Sequence, residues 1–209
     1  MPRPLPRRFY RRDTIDVARD LLGCEIWVRH DGESPRRGRI VEVEAYRGFD
    51  DRACHGWRGE TPRRRSLFGA GGQSFVYITY GIHHMLNVVT EDPGYPSGVL
   101  IRALEPVRNL SGSTQGPGLL TEALGITRAQ DGCDLRRGTV RVLAGALRSE
   151  ESIATSTRVG VEYAGRAAAA EPWRFFVAGN ASVSPGRPTD PDRAEQLVTR
   201  RRESQRNRG

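Results

Sequence analysis

Period-two alternation from Arg39 to Tyr46 predicts a strand with Ile40, Glu42, Glu44 and Tyr46 on one face and Val41, Val43 and Ala45 on the other. A second strand-like run, Phe75 to Tyr80, turns at Gly81 and returns from His84 to Thr90 through Met85, Leu86, Val88 and Val89. This predicts a hairpin with Tyr80, Gly81, Ile82 and His83 at its tip. Val99 to Leu104 is an apolar strand interrupted by Arg102. Asp13 is placed to cap a helix whose apolar face is Ile15, Ala18 and Leu22, with Gly23 near its end. A second helix is expected after Gly116-Pro117-Gly118, ending near Gly125. Cys24 to His30, Val140 to Ala144, Arg158 to Tyr163 and Arg174 to Val177 are further strand candidates. The pattern predicts an α+β fold: one domain over residues 1–183, a curved antiparallel sheet with peripheral helices and a protruding β-hairpin. From Ser184 the apolar pattern fades into three prolines followed by Arg200, Arg201, Arg202, Arg206 and Arg208, so residues 184–209 are expected to form a flexible basic tail. Gly69 to Gly72 lacks the Lys-Ser/Thr of a P-loop and reads as a pliant lead into the hairpin.

Composition adds a partner class. The 209 residues carry a formal charge of +8 and a pI near 10.2, which favours polyanions. All 33 basic residues are arginine, suited to bidentate phosphate contacts. Without lysine the chain lacks the usual amine for a Schiff base with a sugar, and the MPRPLPRR start offers no carboxylate beside its terminal amine. Cys24, Cys54 and Cys133 form no Cys-x-x-Cys pair, so neither a disulfide framework nor a zinc cluster is indicated, and no metal or other cofactor is expected. The N-terminus lacks an apolar h-region and no run approaches a membrane span. A cytoplasmic, nucleoid-associated protein with no membrane partner is expected, a monomer in the absence of heptads.

Candidate chemistry gathers between Arg39 and Asn87. Glu44 and Tyr46 lie roughly 6.6 Å apart along one strand face, so carboxylate and phenol can line one pocket wall. If the following loop folds back, His55 joins them around a planar ligand, with Glu44 placed as a general base for water. The plain alternative is a solvated or salt-bridged strand glutamate. No Arg, Asp or Glu occurs between Ser66 and Thr90, in a chain that is 28% charged. A charge-poor aromatic hairpin flanked by basic segments suits a base-intercalating wedge, although a core hairpin has the same pattern. Tyr80 beside the turn favours the wedge, and Tyr77 can stack on an extruded base. Arg102 needs a carboxylate, phosphate or solvent partner, with Glu44 or Glu42 as candidates for an ion pair.

These residues also form a series that closely resembles the alkyladenine (3-methyladenine) DNA glycosylases of bacterial type. It comprises VEVEAY, the ACH ending at His55, TPRRR from Thr61, FVYITYG from Phe75, the LN ending at Asn87 and LIRALEP from Leu100. QGPGLLTEALGIT, STRVGVEYAG and PWRFFVAGN continue it, so the likeness covers roughly Phe9 to Val183. The resemblance implies a monofunctional enzyme of base excision repair acting on double-stranded DNA with damaged purines: 3-methyladenine, 7-methylguanine and hypoxanthine. It implies that Glu44 activates the water attacking C1′ while Arg102 helps hold that water. Tyr46, His55 and Tyr77 would clasp the flipped base, Asn87 would disfavour guanine, and Tyr80 would fill the gap in the duplex. Arg63, Arg65, Ile82 and the amides at Gly116 and Gly118 would contact DNA. Many relatives have lysine where this chain has Leu119, which puts one backbone contact in question. A noncatalytic DNA-damage-binding protein would need the basic surface and Tyr80 but not Glu44. A glycoside hydrolase using Glu42 and Glu44 is disfavoured because both point the same way, and an RNA-binding protein would prefer single strands.

Overall fold

The computed structural model describes residues 2–206. Near its start, Arg7–Tyr10 forms a short helix, α1, and Thr14–Leu21 a second, α2. The Asp13 carboxylate accepts from the amides of Ile15 at 2.8 Å and Asp16 at 3.4 Å, capping α2 so that Val17, Ala18 and Leu21 enter the core. Strands β1 (Glu25–Val28) and β2 (Arg36–Arg47) follow, then the hairpin pair β3 (Ser74–Thr79) and β4 (His83–Val89), and the long β5 (Ser97–Arg108). Helix α3 (Pro117–Leu124) begins with proline at its first position and ends at Gly125 in the left-handed region. Strands β6 (Val140–Leu143), β7 (Ile153–Ser156) and β8 (Arg174–Val177), with helices α4 (Arg166–Ala170) and α5 (Pro191–Arg206), complete the order.

All pairings of the eight-stranded curved sheet are antiparallel, in the order β3-β4-β5-β2-β1-β6, with β8 also beside β2 and β7 beside β8. The α+β expectation holds. β2 is the organising strand: where β5 pairs on one side, β8 pairs on the other at Glu42–Glu44. Register shifts between Ile40 and Val43 mark bulges, which bend a strand and re-aim its side chains. Val41, Val43 and Ala45 enter the main apolar core with Ile101, Leu104 and Phe175. The opposite face is also buried, and it carries Glu42 and Glu44.

Two expectations are corrected. Arg158 to Tyr163 is not a strand: the Val159 amide donates to Glu44, the Val161 amide to Thr189 Oγ1, and Glu162–Ala164 is a 3-10 turn. Its donors serve side chains instead of a ladder. Nor does the folded unit stop at Val183. Ser184 and Thr189 are buried, and residues 191–206 form α5, whose Ala194 is enclosed by Ala53, Val161, Ala164, Ala168 and Ala169. An alanine-built contact leaves little hydropathy signal in the sequence. The end of the expected tail, including Arg208, lies outside the described residues. Among those described, no helix is long and apolar enough to cross a membrane.

Candidate active site

Glu44 is fully buried, and its carboxylate is held from three directions. Tyr46 Oη donates to Oε2 at 2.9 Å, the Val159 amide donates to Oε1 at 2.7 Å, and Arg102 Nη1 lies 3.2 Å from Oε1. Arg102 thus answers its sequence ambiguity by pairing with both carboxylates, since its Nε donates to Glu42 Oε1 at 2.7 Å. Glu42 also accepts from Arg174 Nε at 2.8 Å, Ser184 Oγ at 2.9 Å and the Ser184 amide at 2.6 Å. Burial alone would raise the Glu42 carboxyl, but the Arg102 and Arg174 guanidiniums and the Ser184 amide outweigh it and hold it below the ordinary carboxylate range. Glu42 is therefore a saturated structural anion, which removes the paired-carboxylate reading. Glu44 retains acceptor capacity.

Tyr46, His55, Tyr77 and Asn87 line one small cavity with Cys54, Leu67, Phe75 and Gly98. The loop after β2 does fold back, bringing the His55 ring to 4.1 Å from that of Tyr77. The cavity is only about 10 Å³, the space of about one water. A space of that size is too small for a purine. Burial pushes the Tyr46 phenol well above its usual value, helped by the adjacent Glu44. Burial, with Arg64 nearby, lowers the His55 imidazole to about 4. His55 is thus neutral near pH 7. Asn87 Nδ2 donates to the carbonyls of Phe75 at 3.1 Å and Met85 at 3.3 Å, which fixes the side chain across the hairpin.

The hairpin tip stands clear of this site. Tyr80 and Gly81 both have positive φ, +52° and +76°, and the Ile82 amide closes the turn onto Thr79 O at 3.2 Å. Positive φ at both central positions is the type I′ requirement, which glycine meets easily and tyrosine does not. Tyr80 is 92% exposed and Ile82 71%, so neither is held by packing. At the hairpin's flank, α3 starts at the Gly116–Gly118 turn, and Thr121 Oγ1 donates to His84 O at 2.9 Å. A Cβ on Gly118 would sit 3.0 Å from the exposed His83 ring, so the glycine lets this turn lie close against the hairpin with that ring undisturbed.

Around the mouth, Arg52, Arg58 and Arg64 border a cavity of about 360 Å³ with His55, Trp57 and Tyr163. Arg63, Arg64 and Arg128 border a neighbouring one of about 390 Å³ with His55, Tyr77 and Ile78. Arg63 is exposed, and Arg65 makes only a 3.4 Å exposed pair with Glu60. The sequence reading missed Arg158, Asp51, Arg174, Val159 and Ser184, which brace the site. Arg158 and Arg174 carried the signal that singled out Arg102, an arginine set against apolar neighbours.

The methylpurine-DNA glycosylase family model matches residues 8–181. A protein of Anaeromyxobacter dehalogenans (strain 2CP-C) named "Putative 3-methyladenine DNA glycosylase" is 50% identical over 181 residues, 86% of either chain. Proteins of the same name from Legionella pneumophila (strain Corby) and Myxococcus xanthus (strain DK1622) are each 45% identical. The first match covers 87% of this chain and 98% of the relative, the second 88% and 95%. With that likeness spanning every strand of the sheet and the buried Glu44 site, the chain belongs to the methylpurine-DNA glycosylase family, DNA glycosylases of base excision repair.

Proposed function

We propose that the protein is a monofunctional glycosylase that flips alkylated or deaminated purines out of duplex DNA and releases them by hydrolysis. The observation that carries this reading is the buried Glu44 carboxylate, fixed by Tyr46, Val159 and Arg102 beside an aromatic cavity. Tyr80 and Ile82 enter the duplex while arginines around the mouth, Arg63 and Arg65 among them, and the amides at Gly116 and Gly118 hold phosphates. Extrusion costs a few kcal/mol, least for a damaged or mispaired base. The base parts Tyr46 from the His55–Tyr77 wall and stacks between them. Asn87, unable to swing away, crowds the exocyclic amine of guanine.

As the C1′–N bond breaks, the sugar takes on positive charge, which the Glu44 anion stabilises. Water attacks C1′, and its proton passes to Glu44. A cationic base such as 3-methyladenine or 7-methylguanine leaves as a neutral purine. Hypoxanthine needs hydrogen bonding as it departs, and neutral His55 can donate one N–H. With no lysine in the chain, no side-chain amine is available for a Schiff base, so the expected product is an intact strand with an abasic site.

The test is single-turnover base release from duplexes containing 7-methylguanine, hypoxanthine or undamaged purine, by wild type and Glu44→Gln. Lesion-selective release that the variant loses while still binding DNA supports the proposal. Lesion binding without release by wild type would identify a noncatalytic damage-binding protein.

A further inference from the structure

Arg158 is the largest fully buried side chain among the described residues, and it braces the site without lining the aromatic cavity. Its guanidinium donates to Ala45 O, Asp51 Oδ1 and Ala168 O, each at 3.0 Å, and also to Asp51 Oδ2. It joins β2, the loop after it and α4, while the next residue's amide holds Glu44. The guanidinium carbon sits 4.7 Å from the centre of the Tyr46 ring and 5.0 Å from that of Trp173. Tyr46 lines the aromatic cavity, whereas the fully buried Arg158 stacks on the Tyr46 ring without lining it.

A phenol ring offers negative potential on both faces, and a cation on one face leaves less for the other. We propose that Arg158 is a positioning residue that fixes Tyr46 and, by loading one face of its ring, keeps the pocket from holding a cationic purine too tightly. This rests on Tyr46 being the platform for the flipped base. A cationic alkylpurine carries its charge before the glycosidic bond breaks and leaves neutral, while the charge moves to the sugar. Ring attraction to the cationic base therefore stabilises the ground state more than the transition state and slows release. A neutral base such as hypoxanthine is indifferent to this effect. The Asp51 partner keeps the pair neutral overall, which confines the influence of Arg158 to the rings it touches.

The test uses Arg158→Gln combined with Asp51→Asn, which removes both charges and keeps a donor and an acceptor, and Arg158→Lys, which keeps the charge. Binding is measured on duplexes with 2′-fluoro-7-methyldeoxyguanosine or 2′-fluorodeoxyinosine, where fluorine disfavours charge on the sugar and blocks release. Single-turnover rates use the cleavable counterparts. The double variant is expected to bind the cationic duplex about fivefold tighter and release 7-methylguanine about fivefold more slowly at saturation, with hypoxanthine unchanged in both. Arg158→Lys keeps the wild-type ratios. A structural role alone would shift both bases in parallel, and that result, or no change, overturns the proposal. Should the double variant not fold, stepwise fluorinated phenylalanines at position 46 probe the same relation. Falling Tm with less than about a twofold change in the cationic-to-neutral affinity ratio supports it, and a ratio that tracks fluorination overturns it. Wild type releasing no base at all would sink the glycosylase reading, and this proposal with it.

Discussion

The Tyr46 hydroxyl donates to the Glu44 carboxylate at 2.9 Å from two positions along the same strand, so the proposed platform and the proposed base are one rigid unit. Removing the hydroxyl leaves a buried carboxylate oxygen short of a donor, a loss of about 1–3 kcal/mol. Tyr46→Phe is expected to slow single-turnover release about tenfold with duplex affinity unchanged. Quench-flow at saturating enzyme checks this, and a wild-type rate would show the hydroxyl to be idle.

Arg102→Met leaves Glu42 with Arg174 but strips Glu44 of its only guanidinium contact recorded among the described residues. Breaking a buried pair in this way costs about 3–5 kcal/mol. Urea melts at about 25 °C read this out; a loss below about 1 kcal/mol contradicts it.

With His55 lowered to about 4 from an ordinary 6.5, the unfolded chain binds a proton between those values that the folded chain does not. Stability from this group is therefore complete above about pH 6.5 and declines as pH falls toward 4. His55→Phe is expected to flatten the urea midpoint in that window. A wild-type-minus-variant difference constant with pH would remove the imidazole from the account.

Tyr80→Gly should keep or slightly raise stability, by up to about 1 kcal/mol, since glycine suits the positive φ that tyrosine resists. Affinity for lesion duplex should fall at least about tenfold if the ring occupies the stack. Thermal melts and fluorescence anisotropy separate the two effects. Wild-type lesion affinity in the variant would mean the tip does not enter DNA.

Arg63→Gln and Arg65→Gln are each expected to reduce the slope of log K against log salt by about one, if each guanidinium holds one phosphate. The rate at saturating enzyme should stay unchanged. An unaltered slope would place that residue away from the DNA.

What the sequence disclosed followed the range of each signal. Alternation located β2, the hairpin and β5, the aspartate cap located α2, and the Gly-Pro-Gly turn located α3, because these signals lie within one element. The bracing of the site was hidden because it is made between distant segments. Val159 gives Glu44 a backbone amide from 115 positions away, and Ser184 reaches Glu42 from 142. α5 escaped notice because its anchor is an alanine among alanines, where fit is steric and hydropathy is nearly silent.

The small size of the aromatic cavity has a consequence for turnover. At about 10 Å³ it is too small for a purine, so on the proposed reading a flipped nucleotide pushes its walls apart. On that reading, cutting the glycosidic bond removes the tether that holds the base between the parted walls, and return of the His55–Tyr77 wall to its place displaces it. Free purines in solution should compete poorly, and the slow product to depart should be the DNA with its vacant sugar.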